Sequence, residues 1–541
     1  MARAIRISTR ASSSGDWSPS IRNEQRLVVL RWIMCPDSNS SIRQYWRTQM
    51  TLATSMSFVG GQFIHAHSQQ TCTVVNPATE EKIGEIVDSD AQDVDTAVRS
   101  AHEAFISSGW AELRGEDRAQ YIDKLADAFE ARSSQIAMSL TEQNGMPISM
   151  SSYLNGPLVV QAYRYFANLA RELPIEETRV SDGATGIVRR QPVGVSGLIV
   201  PWNSPHIILA WKLGAALAAG CTTVIKPAPE TSLDMNAFAA AVIEAGLPNG
   251  VVNIVTGGRE TGAALVAHPL VSKIAFTGST AAGKIIAAEA GAQLKRVTLE
   301  LGGKSAAIVL DDADLDAVAR VVVPLCSPYS GQVCVSNTRI LAPRTRYDEI
   351  VEMVAEAMRA GQVGDPKDPG TAFGPLVADR QRARVESYVE LGKSEGAEIV
   401  LGGGRPKDLN RGFYFEPTVF RHVSNSMRIA QEEIFGPVLA VIPYDTDDEA
   451  VAIANDSDYG LSGSVLTGDA ERGLALARRI DAGQVRVNTM VSGNDFPFGG
   501  FKQSGLGREL GPEGIQPYLE LKTIYPMQQG SSTAKSPLTA E

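Results

Sequence analysis

The sequence predicts an α/β protein in which a doubly wound, Rossmann-like domain is joined to a second α/β domain. The main observation is an alternation of strand-like and helix-like segments over residues 195–277, which is typical of parallel strands with covering helices. The second is the length of 541 residues, which exceeds what one hydrophobic core normally holds. The third is composition, since 44% hydrophobic and 21% charged residues are ordinary for a globular protein.

Net charge and cysteine usage limit the classes of partner. The net charge of -11 argues against nucleic acid or an anionic membrane surface as the main partner. The five cysteines are an odd number without paired metal-ligand spacing, and the six histidines are scattered. We therefore expect a reducing compartment, the cytoplasm, and no metal site.

The first 56 residues differ in composition from the rest. Residues 1–49 hold eight arginines and no lysine against three acidic residues, and they are rich in serine, as organelle transit peptides are. The alternative, which we favour, is that translation begins at Met50 or Met56 and the preceding residues are upstream sequence read in frame. In either case we expect a disordered extension.

The segments that precede the alternation are predicted from turns and periodicity. Residues 58–86 are short apolar pieces separated by Gly-Gly and Asn-Pro turns, which indicate hairpins. Apolar residues then recur at helical spacing over 91–107 and 118–144, with Asp90 and Asp117 placed as caps. Residues 185–193 have a β pattern, which favours an ordinary edge strand over one that leaves the body to pair elsewhere.

The two α/β regions follow in order. In the first, ligands are expected at the carboxyl ends of the strands. Its predicted strands are 195–200, 222–226, 251–255 and 273–277, and its predicted helices are 209–219, 232–245 and 260–267. In the second, the predicted helices are 314–325, 347–360 and 380–395, with strands near Ile399 and Leu439.

A polar, glycine-containing turn, residues 330–334, breaks an apolar run and ends on Cys334. Small residues there let the backbone approach a substrate and leave the thiol reachable, which makes Cys334 a candidate nucleophile. Taken alone, this cysteine is more easily explained as one that fills space in a core.

Two further residues have side chains suited to catalysis. Glu300 lies between two leucines, and a buried carboxyl with a raised pKa suits a general base, although composition alone favours a salt-bridged structural glutamate. Asn203 follows a strand and can donate to an oxyanion, or it can satisfy a nearby turn. Gly278-Ser279 lies between a strand and a helix, where a phosphate fits, but a plain turn carries equal weight.

Seven motifs, taken together, resemble the NAD(P)-dependent aldehyde dehydrogenase superfamily in order and spacing. The resemblance covers residues 57–526 and is specific because all seven motifs occur in sequence order. They are Pro201-Trp202-Asn203, Lys226-Pro227-Ala228-Pro229-Glu230, Phe276-Thr277-Gly278-Ser279-Thr280, Leu299-Glu300-Leu301-Gly302-Gly303-Lys304, Gly331-Gln332-Val333-Cys334, Glu433-Ile434-Phe435-Gly436-Pro437 and Pro497-Phe498-Gly499-Gly500.

The resemblance implies a mechanism for the oxidation of an aldehyde to the carboxylic acid. Cys334 attacks the aldehyde as thiolate and forms a thiohemiacetal, whose oxyanion is stabilised by the Asn203 amide and the Cys334 backbone N–H. After hydride transfer, Glu300 activates the water that hydrolyses the thioester.

The resemblance also implies which residues bind the cofactor. Lys226 would contact the adenosine ribose, Gly278 and Ser279 the pyrophosphate, and Glu433 the nicotinamide ribose. Phe435 would pack beside the nicotinamide, with Trp202 supporting that pocket. Without the resemblance, Lys226 and Glu433 would be interpreted as solvated surface charges.

Departures from the family pattern leave the choice between NAD and NADP, and the class of aldehyde, partly open. Relatives that prefer NAD often have glutamate three residues after the motif lysine, where this chain has Pro229, and Glu230 is next along. We therefore favour NAD and leave NADP open. The apolar neighbours Val333 and Val335 suggest a hydrophobic aldehyde.

The resemblance predicts three parts and a homodimer or homotetramer. The parts are a cofactor-binding domain, a catalytic domain and an oligomerisation element whose strands pair between subunits. Their predicted bounds are 57–174 with 193–302, 303–506, and 175–192 with 507–530. Two other functions are considered. One is a CoA-acylating dehydrogenase, which typically lacks the glutamate present here as Glu300, and the other is a non-catalytic structural or binding protein. An esterase reaction would be a side activity.

Overall fold

A computed structural model describes residues 56–527, so the predicted extension, apart from Met56, lies outside the described residues. None of the helices within 56–527 is long and apolar enough to cross a membrane. The strands are β1 (Met56–Val59), β2 (Gln62–His65), β3 (Thr71–Val75), β4 (Lys82–Val87), β5 (Glu176–Ser181), β6 (Ala184–Pro192), β7 (Val195–Ile199), β8 (Thr222–Lys226), β9 (Val252–Ile254), β10 (Val271–Thr277), β11 (Arg296–Glu300), β12 (Ala306–Val309), β13 (Arg339–Pro343), β14 (Glu398–Leu401), β15 (Thr418–Arg421), β16 (Val438–Tyr444), β17 (Tyr459–Gly460), β18 (Ser462–Leu466), β19 (Gln484–Val487), β20 (Phe501–Lys502), β21 (Gly505–Leu506) and β22 (Leu519–Ile524).

The α-helices lie mostly between these strands. They are α1 (Ala91–Ser107), α2 (Gly115–Glu130), α3 (Ser133–Asn144), α4 (Ile148–Leu154), α5 (Pro157–Glu172), α6 (Pro205–Ala219), α7 (Met235–Glu244), α8 (Arg259–Ala267), α9 (Thr280–Ala292), α10 (Leu315–Cys326), α11 (Tyr347–Ala360), α12 (Asp379–Ser394), α13 (Arg428–Gln431), α14 (Asp447–Asn455), α15 (Ala470–Ala477) and α16 (Gly511–Ile515).

The first sheet has eight strands in the order β2-β1-β9-β8-β7-β10-β11-β21. The strands from β9 to β11 are parallel, and the flanking strands are antiparallel. Because successive strand residues point to opposite faces, Leu198 packs into a core with α2, α5, α6 and α7, whereas Ile199 packs into one with α1, α8 and α9. Helices cover both faces, and the predicted doubly wound fold is confirmed.

The second sheet has seven strands in the order β14-β15-β16-β13-β12-β18-β19, and only β14 runs antiparallel to its neighbour. Ile308 and its neighbour Val309 on β12 pack into separate cores on opposite faces. This sheet is the second α/β region predicted above. The predicted domain bounds within 57–530 stay a prediction.

A third, antiparallel sheet has the order β22-β6-β5. Strand β6 covers most of the predicted 185–193 segment and pairs on both sides, with β5 and β22. The prediction of an edge strand there was wrong, because β22, the partner on its second side, lies more than 300 residues further along the chain. The edges of this sheet are β5 and β22.

Of the two helices predicted in the N-terminal region, one was correct and the other was wrong. Helix α1 begins after Asp90, whose side chain accepts from the Asp93 N–H at 3.0 Å in a capping box. The helix predicted over 118–144 is instead two helices, α2 and α3. Asp117 lies inside the first turn of α2 and does not cap it, because its carboxylate pairs with Arg114 at 2.8 Å.

Candidate active site

The segment that carries Cys334 has an unusual backbone. Tyr329, Ser330 and Gly331 have φ values of 49°, 53° and 73°, a left-handed region that non-glycine residues rarely adopt. A Cβ on Gly331 would lie 2.0 Å from the Gly436 carbonyl oxygen, so only glycine fits there. Cys334 follows this turn and is half-buried as a whole residue.

Asn203 is brought to this turn from the first sheet. It follows β7 and is buried, and its Nδ2 donates to the Gln332 carbonyl oxygen at 2.9 Å. The Gln332 side chain accepts from the Val377 N–H at 3.0 Å, which fixes the turn on its other side. The hydrogen-bond partner of Asn203 is thus 129 residues away and not in a nearby turn. An amide nitrogen carries two hydrogens, so one remains for a ligand.

Glu300 is a buried carboxyl without a partner. It is the last residue of β11 and is 2% exposed, and neither carboxylate oxygen has a hydrogen-bond partner among the described residues. Burial raises its pKa well above the usual range, and the charge of Glu509 adds to the rise, while Lys212 and Arg508 oppose it. The structure therefore gives no support to a salt-bridged structural glutamate.

The resting thiol of Cys334 is protonated near neutral pH. Burial raises its pKa to about 12, and the charges of Glu433 and Glu300 contribute in the same direction. The backbone N–H groups of Cys334 and Val335 act in the opposite sense. Attack by the thiolate therefore requires that a proton leave Cys334 first.

Lys226 ends β8 and is buried, so it is not the solvated surface charge that composition alone would suggest. Its Nζ donates to the carbonyl oxygens of Pro227 at 2.8 Å and Gly257 at 2.7 Å. Burial lowers its pKa to about 8. Glu230, four residues on, forms an ion pair with Arg380 of α12.

The turn before α9 contains Gly278 and Ser279. The Gly278 N–H donates to the Glu300 carbonyl oxygen at 3.0 Å, and this links the turn to the end of β11. The hydroxyl of Ser279 accepts from the Ala282 N–H at 3.3 Å and so caps α9. A Cβ on Gly278 would lie 2.4 Å from the ring of Phe276.

Glu433 and Phe435 belong to a loop of the second α/β region. Glu433 is half-buried, and its Oε1 accepts from the Gly303 N–H at 3.0 Å, three residues beyond Glu300. Burial raises the pKa of Glu433. The Phe435 ring lies 5.4 Å from that of Trp202 at an angle of 88°, an edge-to-face contact.

Two residues of α12 that the motifs do not include hold this loop. Gln381 donates to the Phe435 carbonyl oxygen at 2.8 Å, and Arg384 donates to that of Glu433 at 2.5 Å. Phe435 has a φ of 62°, so these bonds support a strained backbone. A helix of charged residues gives no pattern that would single out these two, and the sequence analysis missed them.

Around Cys334 the structure thus collects the ends of β7 and β11 from the first sheet and one loop from the second α/β region. Within 56–527, no group of three or more histidine, cysteine, aspartate and glutamate side chains could hold a metal ion. The arrangement offers a thiol, an amide donor and an unpartnered carboxyl beside a strand-to-helix turn.

The chain belongs to the aldehyde dehydrogenase family, whose model matches residues 63–524. Geranial dehydrogenase of Castellaniella defragrans is 50% identical over 477 residues, which are 88% of this chain and 99% of that protein. Cytosolic aldehyde dehydrogenase 1 of Rattus norvegicus is 41% identical over 473 residues, which are 86% of this chain and 94% of that protein.

Solved structures agree with this assignment. An aldehyde dehydrogenase of Mycobacterium tuberculosis complexed with NAD+ has a TM-score of 0.86 and 44% identity, with 88% of this chain and 99% of that chain covered. A mutant of aldehyde dehydrogenase C from Pseudomonas syringae, in complex with NAD+ and octanal, has a TM-score of 0.85 and 40% identity, with 88% and 97% covered. The protein is an oxidoreductase that oxidises an aldehyde with a nicotinamide dinucleotide.

Proposed function

We propose that the protein oxidises a hydrophobic aldehyde to the carboxylic acid, with Cys334 as nucleophile, Asn203 as oxyanion donor and Glu300 as general base. The observation that carries these roles is the unpartnered, buried carboxyl of Glu300 beside a cysteine turn that the Asn203 amide holds. A buried carboxyl costs stability unless it is paired, so its retention without a partner favours a catalytic role.

The sulfur of Cys334, once deprotonated, attacks the carbonyl carbon and gives a thiohemiacetal on the enzyme. The free hydrogen of the Asn203 amide and the Cys334 backbone N–H donate to the oxygen that becomes negative. A nicotinamide dinucleotide held by the cofactor residues named below would supply the acceptor for the hydride that leaves the substrate carbon. Glu300 then takes a proton from water as that water attacks the thioester, which releases the acid and restores the thiol.

The residues predicted to hold the cofactor have the donors and acceptors that its parts require. The start of α9 presents backbone N–H groups and the positive end of a helix dipole, which suit a pyrophosphate. A buried lysine and two carboxylates suit ribose hydroxyls, and the aromatic pair suits a flat ring. The residues are Trp202, Lys226, Glu230, Gly278, Ser279, Glu433 and Phe435, and we favour NAD over NADP.

The preference for a hydrophobic aldehyde rests on the apolar core against which Cys334 packs and on the relatives. Val335, Trp211 and Cys334 pack against one apolar core, in which the Phe498 ring lies 4.9 Å from that of Trp211. A geranial dehydrogenase and an octanal complex among the relatives support the same class of substrate. A charged aldehyde would lose hydration at such a surface.

We also propose a homodimer or homotetramer in the cytoplasm, and the three parts predicted above. Support for the assembly comes from β22, an edge strand of the third sheet whose unpaired backbone groups can bond a second copy. Leu521 and Tyr525, on and just after this strand, are 63% and 75% exposed. Light scattering during size-exclusion chromatography would give a monomer mass if this proposal is wrong.

The test of function is turnover of an aldehyde panel with NAD or NADP, followed by absorbance of the reduced dinucleotide. We expect octanal and similar aldehydes to exceed short or charged ones in kcat/KM, and Cys334→Ala to abolish turnover. Silence across the panel from folded wild-type protein would overturn the proposal. Turnover that requires CoA would favour the acylating alternative.

A further inference from the structure

A histidine and an aspartate form a buried pair just after the loop that carries Asn203. His206 is the second residue of α6, and Asp234 directly precedes α7. His206 Nε2 lies 2.6 Å from Asp234 Oδ2, within hydrogen-bond distance, and both side chains are 1% exposed. The imidazole centroid lies 5.4 Å from that of the Phe129 ring and 6.0 Å from that of the Phe238 ring. The bond is therefore in an apolar setting, where it is electrostatically stronger than in water.

The other polar atom of each side chain has no bond. His206 Nδ1 and Asp234 Oδ1 are buried without a hydrogen-bond partner in the part of the chain that the structure describes. Burial of unpaired polar atoms costs stability, and a buried ion pair often stabilises a fold no more than apolar side chains of similar volume. Stability alone therefore does not account for this pair, and its role is to be sought in the segments that it joins.

The pair belongs to a closed hydrogen-bond network that links the starts of α6 and α7 to the end of α3. Gln143 and Asn144 are the last two residues of α3. The Leu233 N–H, just before α7, donates to Gln143 Oε1 at 2.9 Å. Asn144 Nδ2 donates at 3.0 Å to the carbonyl oxygen of Trp202, in the loop before α6. The histidine–aspartate pair joins the starts of α6 and α7 directly, so each of the three elements is bonded to the other two.

This network is bonded at two points to the turn that carries Cys334. Asn203, the next residue after the network's tryptophan, donates from Nδ2 to the Gln332 carbonyl oxygen at 2.9 Å. The Tyr329 hydroxyl donates to the Asn144 carbonyl oxygen. Tyr329 and Gln332 are five and two residues before Cys334. The network therefore constrains where the Asn203 amide lies relative to the cysteine.

We propose that His206 is a positioning residue for Asn203 and acts through its bond to Asp234, a proposal that rests on the oxyanion role of Asn203 proposed above. The first turn of α6 lies next to Asn203 and includes a bond from the Ile208 N–H to the Ser204 carbonyl oxygen at 3.2 Å. A shift of this turn moves Asn203 with it, and an oxyanion donor acts only within hydrogen-bond distance of the reacting oxygen. In this role His206 does not contact the substrate.

The test compares two amide side chains at position 206. A glutamine places its amide nitrogen near the position of His206 Nε2, which bonds Asp234, whereas asparagine places it near that of Nδ1. We expect His206→Gln to keep most of the wild-type kcat/KM for octanal at saturating NAD. We expect His206→Asn to lose about tenfold or more, because a misplacement of about 1 Å can cost about 10²-fold. Equal kcat/KM values in the two variants, measured by absorbance of the reduced dinucleotide, would overturn the proposal.

A double-mutant cycle with Asn203→Ala separates positioning from general support of the fold. We expect Asn203→Ala alone to lower kcat/KM by about 10²–10³. His206→Asn should cause no further loss in that background, because the group that it positions is gone. Losses that multiply would overturn the positioning role alone. Wild-type kcat/KM in Asn203→Ala would instead overturn the oxyanion role proposed above, and the positioning role with it.

Two paired replacements complete the test. His206→Leu with Asp234→Leu removes both partners, so neither is left buried and unpaired, and it takes the place of His206→Asn in the cycle if that variant does not fold. The same loss, without a further loss in Asn203→Ala, is expected. His268→Leu with Asp95→Leu is the matched control, because it removes a histidine–aspartate pair at 3.1 Å between the end of α8 and α1. It should leave kcat/KM unchanged, and a loss equal to that of the first pair would overturn the proposal.

Discussion

The end of β11 and the start of β13 each bury an ionisable side chain, but only one of the two side chains has hydrogen-bond partners. Glu300 and Arg339 are each 2% exposed. The Arg339 guanidinium donates to the carbonyl oxygens of Lys304, Ile453 and Ala454 and to Asn425 Oδ1, at 2.8–3.0 Å. Glu300 has no partner on either oxygen among the described residues.

The difference teaches how a structural charge is distinguished from a chemical one. A buried charge whose hydrogen-bonding capacity is filled fixes the segments around it and cannot act on a ligand. A buried charge left unfilled costs stability and is free to exchange a proton. Burial alone, which the two residues share, does not separate these roles.

The largest expected effect is on catalysis at Glu300. We expect Glu300→Gln to lower kcat by about 10²–10⁴, the usual contribution of a general base. In wild type, kcat should rise with pH as Glu300 loses its proton, at a pH above the ordinary glutamate pKa of about 4.3. That rise should be missing in Glu300→Gln, measured by the steady-state absorbance of reduced dinucleotide across pH.

The same variant should leave stability unharmed. Because folding raises the pKa of Glu300, the native chain holds a proton that the unfolded chain has lost near neutral pH, and stability falls as pH rises above the unfolded pKa. Replacing the carboxyl should therefore not lower the free energy of unfolding near pH 8. A large loss in urea unfolding would show that Glu300 is structural after all.

The second effect is on stability at Arg339. We expect Arg339→Met to lower the free energy of unfolding by about 3 kcal/mol or more, because buried carbonyl oxygens lose their donors. Urea unfolding followed by fluorescence measures this. Arg344→Met is the matched control, since Arg344 is in an exposed pair with Asp445 at 2.7 Å, and little change is expected there. Equal losses in both variants would contradict the comparison.

The smallest effect is a shift of the pH profile through Glu509. This residue is paired with the buried Lys212, and its charge raises the pKa of Glu300. Glu509→Gln removes that charge and leaves the Lys212 cation, so the pKa of Glu300 should fall. The rise of kcat should then occur at lower pH, while Glu520→Gln, an exposed carboxylate on β22, should not move it. A shift to higher pH would show that Glu509 does not act on Glu300 by charge.

Prediction from sequence succeeded where the determinants are local. Helix α1 was predictable because its cap, Asp90, is adjacent to its first residue and its apolar spacing is regular. The break between α2 and α3 was not, because the two residues that separate them, Ala131 and Arg132, include neither glycine nor proline. The central position of β6 depends on β22, which lies more than 300 residues further along the chain.

The candidate site was recognisable in residue identity but not in its contacts. The motifs contain Cys334, Glu300 and Asn203, yet no local pattern shows that Asn203 donates to Gln332 or that Glu300 is left without a partner. The same holds for Glu230, whose partner Arg380 is distant in sequence. Burial and pairing arise from tertiary packing, so they could only be read from the structure.

The pairing of β22 with β6 also determines when this protein can finish folding as it is made. Translation adds about 5–20 residues per second, so β22 is synthesised on the order of tens of seconds after β6. A similar time separates the synthesis of Lys212, which is buried in α6, from that of its ion-pair partner Glu509. The stretch from Glu509 to the end of β22 therefore completes both the third sheet and the charge environment of Glu300, and a ribosome stalled before it would leave a chain without either.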